Sequence, residues 1–563
     1  MVMPETQARK VVGVVPAEAR RRRPRLFAAL EDAFRVSFEG REAGEWSGLD
    51  GAILLDVSTA EGPTCPAFLT ASSPGEPVSR PVELGFDAAL DPTVRGASLH
   101  QSLLGRLEGG FVGADDTVLA SCGGSPVWVR RSSAPVELVA TGLDELADGE
   151  ILRDRLCPGR FLGLLALAHF LRRLTGESAS TRPPLRAAFL FDDPNLHWTS
   201  YGHMHFGQLA AHAAEHGYHA SIAMIPLDGF FTHPVAARLF RDNRRLLSLV
   251  VHGNNHVREE LFRTTSPACA RAVIAEALRR TRAFEQRTTI GVDRVMCAPH
   301  ERCSEEALRA LLELGFEALC SQSPFPWSPR RPPPDYPLAG WEPAQFLAGG
   351  FPVLPRYELV HSRDDLVFRA FLGQPLVLFG HQWNLADGLD PLAEAAAQVN
   401  ALGDVEWCSM SSIARSNVAL RPAGRVLGVR LFSRSVSVTI PAGVEELAVE
   451  LPAVHGALER LRVISPWGEA MLEPRTSSPS TAVLPVRGGV RADIEVRLPS
   501  ALEAEEIAAP PWRPWPVMRR VLTEGRDRAY PLAGRLRGRP SVNGLGNASA
   551  GVPQDRSFSP RSR

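Results

Sequence analysis

The chain has 563 residues, 44 % of them apolar and 22 % charged, the make-up of ordinary globular protein in roughly three to four domains. Sixty-two basic residues against 63 acidic ones leave a net charge of −1, without the basic surplus on which a nucleic-acid binder draws. Lys10 is the only lysine, so a P-loop, a pyridoxal site or a Schiff-base lysine has no residue to use elsewhere in the chain.

In chain order, residues 1–26 read as a disordered arm. Arg20–Arg23 precede Leu26–Leu30 in the manner of an export signal, but Glu31 and Asp32 interrupt it before an uncharged core can form. Residues 27–182 read as an α/β domain of unknown role, with short apolar strands at Gly51–Asp56, Pro126–Arg130 and Val136–Val139. Phe161–Leu171 is the longest mainly apolar run. Its eleven residues fall short of the ~20 that cross a bilayer, so it reads as a buried helix and no membrane span is expected.

Over 183–417 strands and helices alternate. Strands are expected at Arg186–Phe191, His219–Ile225, Leu247–Val251, Arg294–Ala298, Glu317–Ser321, Leu376–Phe379 and Val405–Met410. Helices are expected at Gly207–Glu215, Pro267–Gln286, Ser304–Leu314 and Pro391–Leu402. So many βα units imply a parallel sheet closed into a barrel. From 421 to 499 helical patterns give way to alternating runs, the signature of an antiparallel β-sandwich. Beyond Ala508 the chain is rich in Pro, Arg, Gly and Ser, and residues 508–563 read as a mostly disordered tail. Eight scattered cysteines without a C-x-x-C pair fit a reducing compartment, and a cytoplasmic protein is expected.

The chemistry gathers at the C-terminal ends of the barrel strands, where such barrels place their active sites. The first strand ends in Asp192-Asp193-Pro194, the third in His252-Gly-Asn-Asn-His256, and the one before the last in Gly380-His381. An Asp/His/His ligand set with an open position suits a divalent metal and a hydrolytic water.

The order Phe191-Asp192-Asp193, His252-x-x-x-His256, Cys297-Ala-Pro299 followed by Ser304-Glu-Glu-Ala-Leu, then Leu376-Val-Leu-Phe-Gly-His381 resembles the polysaccharide deacetylases of carbohydrate esterase family 4. The resemblance spans ~230 residues and implies a distorted (β/α)7 barrel. It also implies one divalent metal, Zn with Co, Ni or Mn as substitutes, held by Asp193, His252 and His256. Asp192 would then be the general base, and His381 would protonate the leaving amine. Substrate contacts are expected from His197, Trp198, Tyr201, Pro299, Arg302 and Trp383. Three positions depart from the family pattern: Pro194 for glycine, Gly253 for Ser or Thr, and Cys297 for the arginine that orients the base. Arg302 or His300 is the expected substitute for that arginine.

The function expected is removal of an N-acyl, foremost N-acetyl, group from a small glycoside or glycoconjugate, with oligomerisation open through the flanking domains. Two alternatives stay open: a metal-dependent amidase for a non-carbohydrate amide, and a carbohydrate-binding barrel without chemistry.

Overall fold

The computed structural model describes residues 9–536 apart from 56–62, 71–75, 106, 108–112, 177–181, 323–339, 348–349, 360–362, 452–459, 473–479 and 498–500. The chain is mixed α/β with three layered parts. The N-terminal part is a nine-stranded mixed sheet. Its core includes Phe27, Phe68, Trp128 and the helix Leu162–Thr175, which covers the sheet with an almost continuous apolar surface. That helix ends at Gly176, whose positive φ of 69° suits a left-handed cap.

The arm expected over 1–26 is corrected from Lys10 onward, while residues 1–8 lie outside the described residues. Lys10–Val15 is an interior strand, paired in parallel with Val36–Gly40 on one side and Gly51–Leu54 on the other. Its run Val-Val-Gly-Val-Val has the β-branched character of a strand buried on both faces. Lys10 is held by Asp50 at 2.8 Å. The segment resembling an export signal falls in the helix Pro24–Ala33, which buries Leu26, Phe27, Ala29 and Leu30.

The central part is a ring of parallel strands: β1 (Leu185–Asp192), β2 (Ala220–Met224), β3 (Leu247–His252), β4 (Val292–Cys297), β5 (Ala318–Ser321), β6 (Phe351–Pro355, continuing as Tyr357–Glu358) and β7 (Leu376–Gly380). β6 closes the ring, because its first half pairs with β5 and its second half with β7. The chain bends between the two at Arg356. The strand that completes the barrel therefore lies at 351–358, not at 405–410. The strand expected at Val405–Met410 forms as Val405–Trp407 and pairs only with the start of β1, from Leu185 to Ala187. Pro352 and Pro355 hid β6 in the sequence, since proline weighs against an interior strand.

The C-terminal sandwich consists of two four-stranded sheets around Leu427, Val429, Val438, Leu447 and Ile494. Its pairing departs from the all-antiparallel expectation, because Val426–Arg430 runs parallel to Glu446–Glu450. The tail expected from 508 is corrected as far as Leu536. Pro514–Leu536 is a helix that returns to the barrel, with residues 537–563 outside the described residues.

Candidate active site

Strand alternation ceases at the ends of β1 and β3, and the polar groups gather there. Asp193, just past β1, has a positive φ of 83°, and His256, past β3, one of 54°. Among the described residues six non-glycine residues have positive φ, and Asp193, His256, Glu259, His300 and Glu301 are five of them. Such conformations cost about 1–3 kcal/mol each for ordinary residues and persist only where surroundings over-determine them.

The surroundings are visible. Glu260, 6 % exposed, accepts hydrogen bonds from the backbone N–H groups of Asn254, Asn255 and His256 at 2.9–3.1 Å. Arg280 donates to the side-chain oxygens of Asn254 and Asn255, both at 2.8 Å. Gly253 is required by the same turn. Its φ is 63°, and a Cβ there would lie 2.5 Å from the Pro299 ring and 2.9 Å from the Glu260 carboxylate. Glycine at 253 thus suits the positive φ and the close approach of Pro299 and Glu260.

This loop brings three ligand types together. Asp193 Oδ1 stands 3.3 Å from His256 Nε2 and 3.8 Å from His252 Nε2. One ligand atom from each residue lies within 4.8 Å of the others. His252 Nδ1 donates to the Cys297 carbonyl at 3.0 Å, which leaves Nε2 with its lone pair toward the cluster. Burial pushes His256 down to about 3 against the pull of Asp193, so it carries a neutral imidazole, the form that binds metals. Asp193 Oδ1 is buried and accepts no hydrogen bond. A buried carboxylate oxygen without a donor, facing two imidazole nitrogens, fits a divalent cation.

Asp192 is held from the opposite direction. Arg356, 1 % exposed, donates to Oδ1 at 2.9 Å and to Oδ2 at 2.8 Å. Its Nε donates to Glu301 at 3.0 Å, and the guanidinium lies over the Phe379 ring at 4.2 Å. Burial would raise the Asp192 pKa, but Arg356, with His252 beside it, holds it well below the usual carboxylate range. Arg356 from the closing strand therefore supplies the cation that Cys297 lacks. Cys297, wholly buried at the end of β4, leaves Asp192 to the guanidinium from β6. Burial and the neighbouring Cys320 keep the Cys297 thiol protonated.

The substitutes expected from sequence are corrected. Arg302 pairs with Glu259 at 3.2 Å near the surface and touches neither aspartate, while His300 Nδ1 accepts from the Glu259 N–H at 3.3 Å. Pro299 is buried against Gly253 rather than lining an open rim. His381, past β7, is near enough that its charge acts on both aspartates. The Trp383 ring stacks on it at 4.1 Å with 9° between planes.

The loop after β1 meets the C-terminal helix. Tyr201 is wholly buried and donates to Asp527 at 2.8 Å, which removes it from the expected stacking role. His197 has both ring nitrogens engaged, Nδ1 with Glu524 at 3.0 Å and Nε2 with the Asp228 carbonyl at 2.9 Å. Trp198 remains exposed, with the Arg528 guanidinium 5.9 Å from its ring. Arg520, 4 % exposed, pairs with buried Asp228 and donates to the Asp193 carbonyl at 3.4 Å. Arg519 donates to the His256 carbonyl. The helix therefore borders the metal-ligand cluster, which no local pattern in its Arg- and Pro-rich sequence announced.

The chain is structurally similar to the family 4 polysaccharide deacetylases. A similar structure is that of Agd3, a novel carbohydrate deacetylase, at 9 % identity over 87 % of this chain and 99 % of that one, with a TM-score of 0.46. A family 4 carbohydrate esterase from Streptomyces lividans matches at 13 % identity over 43 % of this chain and 100 % of its own, with a TM-score of 0.27. The peptidoglycan deacetylase PdaC from Bacillus subtilis matches at 9 % identity over 41 % of this chain and 91 % of its own, with a TM-score of 0.24. No protein-family model and no curated protein matches the sequence.

Proposed function

We propose that the chain is a metal-dependent hydrolase that removes an N-acyl group, foremost N-acetyl, from an amino sugar or glycoconjugate in a reducing compartment. The observation that carries this reading is the pairing of two adjacent carboxylates with opposite commitments. Asp193 turns an unpartnered oxygen toward two imidazoles, and Asp192 is oriented by a bidentate arginine.

Asp192 takes the proton of the attacking water in this scheme. Each of its oxygens keeps a lone pair beyond the one given to Arg356, so the ion pair orients the base without occupying it. The same ion pair makes Asp192 a weak base, which matches only a water that has been acidified. Asp193, His252 and His256 would hold a divalent ion, which would supply that acidity and Lewis-acid polarisation of the acyl group. His381 delivers a proton to the departing amine, which leaves poorly as an anion. Trp383, stacked on the His381 ring, fixes its plane and closes one of its faces to water. Exposed Trp198 and Trp383 offer flat surfaces for a sugar ring at the rim. The eight cysteines are all unpaired, which supports a reducing compartment.

The alternative of a barrel without chemistry drew on the missing arginine at 297. Arg356 in contact with Asp192 removes that ground.

The test measures metal content and turnover together. Elemental mass spectrometry on the purified chain is expected to find about one divalent ion, absent from the His252→Ala/His256→Ala variant. N-acetylglucosamine conjugates are expected to be hydrolysed and simple amides to be poor substrates. Turnover confined to simple amides would replace the sugar reading with the amidase one. Absence of metal after reconstitution with Zn or Co would overturn both.

A further inference from the structure

We propose that the outer face of the C-terminal helix docks on an anionic lipid membrane. The helix Pro514–Leu536 is inverted relative to an ordinary surface helix, which buries its apolar stripe and exposes its charges. Here Arg520 and Asp527 are 4 % and 1 % exposed and face the barrel, joined there by half-buried Glu524 and Arg528. The opposite side carries Trp515, Met518, Val521 and Leu522 at 60 %, 55 %, 66 % and 66 % exposure. The 515, 518, 522 spacing is that of one helical face, so these side chains form a continuous apolar stripe in water. Trp512 extends it at the N-terminal end. The polar contacts beneath already fix the helix to the barrel, so the stripe is not needed to hold it there. Contiguous apolar surface of this kind marks an interaction site.

Charge selects the occupant. Residues 513–563 hold eleven arginines against Glu524, Asp527 and Asp555, a charge of +8, so the other 512 residues carry −9. Two copies meeting through this face would bring two +8 segments together, which like-charge repulsion opposes. Arg519, Arg520 and Arg528 are engaged by the barrel. An anionic lipid surface takes exposed Arg513 and Arg526 at its headgroups and the Trp, Met, Val and Leu side chains at the acyl boundary, the arrangement of interfacial amphipathic helices. No helix among the described residues is long and apolar enough to cross a membrane, so the contact is one of lying on the surface. Since the same helix borders Asp193 and His256 on its inner side, docking carries the candidate site to within a helix diameter, ~10 Å, of the lipid.

The full-length protein is sedimented with vesicles of phosphatidylcholine alone and of phosphatidylcholine with about 30 % phosphatidylglycerol. Retention on the anionic vesicles is expected, weakening as salt is raised. Joint substitution Trp515→Gln, Met518→Gln and Leu522→Gln is expected to lower the partition by about tenfold or more. These side chains are already in water, so the thermal midpoint is expected to hold, which separates lost docking from lost folding. Quenching of wild-type tryptophan fluorescence by lipids brominated in their acyl chains checks insertion without any substitution. Failure to sediment with either vesicle, or sedimentation unaffected by the three substitutions, overturns the proposal. So does a wild-type dimer in analytical ultracentrifugation that the substitutions dissolve, because a second copy would then cover the stripe.

Discussion

Arg356 reaches across the barrel from its closing strand and holds both oxygens of Asp192, 164 positions earlier in the chain, at 2.9 and 2.8 Å. Its Nε also serves Glu301, so one guanidinium satisfies two carboxylates in a buried setting. Removing one partner from such a pair leaves uncompensated charge, at a cost of about 3–5 kcal/mol. Arg356→Ala is accordingly expected to lower unfolding stability by that amount in urea titrations and to abolish turnover. Arg356→Lys keeps the charge but loses the planar fork, and is expected to retain more stability than activity. A double variant, Cys297→Arg/Arg356→Ala, returns the guanidinium to the position the deacetylase family uses. It is expected to recover part of the turnover lost by the single Arg356 variant. Turnover at wild-type level in Arg356→Ala would show that Asp192 needs no orienting cation.

The two aspartates separate by substitution. Asp192→Asn is expected to keep bound metal and lose turnover by at least ~100-fold, while Asp193→Asn loses the metal itself. Metal content read beside initial rates distinguishes them, and metal loss in Asp192→Asn would exchange the two roles.

Removal of the ion has a thermal signature. A ligand bound only to the folded chain adds stability of about 2.7 kcal/mol at a hundredfold excess over its Kd. Dialysis against a chelator is expected to lower Tm, and re-addition of Zn to restore it. His252→Ala is expected to show no such response.

Gly253→Ser installs the residue usual in the family and is expected to destabilise this chain. The φ of 63° and the 2.5 Å approach to Pro299 act together, for a cost of about 1–3 kcal/mol read from the urea midpoint. A neutral outcome would mean that Pro299 can withdraw from the loop.

The latch between the C-terminal helix and the β1 loop depends on pH through His197 and Glu524. Burial raises Glu524, but His197 and Arg528 bring it down to about 2 from an ordinary 4.5. Its contribution is therefore present above ~4.5 and is lost as pH falls from there toward 2. Burial lowers His197, but Glu524 and the Asp228 carbonyl raise it above its ordinary 6.5. Its contribution is complete below ~6.5 and disappears as pH rises through the raised value. Hydrogen exchange across residues 514–536, corrected for intrinsic rates, is expected to show greatest protection between about pH 4.5 and 6.5. Glu524→Gln is expected to flatten that profile.

Local sequence determined the parts that rest on local physics. Alternating strands and helices, the apolar run before Asp192 and the runs delivering His252 and His381 are written in stretches of six to ten residues, where side-chain periodicity and backbone propensity act. The spacing of His252 and His256 fixes both on one loop whatever surrounds them. Other features depend on residues far apart in the chain, and there periodicity carries no information. Pro352 and Pro355 disguise the strand that closes the barrel, and ring closure alone makes that strand favourable. Only the closed ring sets Arg356 against Asp192. The Arg-rich segment after Pro514 reads as tail because its stabilising partners, Asp228, His197 and Tyr201, stand more than 290 positions away. An inverted amphipathic helix has no apolar face to offer the core, so it becomes ordered only once the folded barrel presents buried polar groups for its charges to meet.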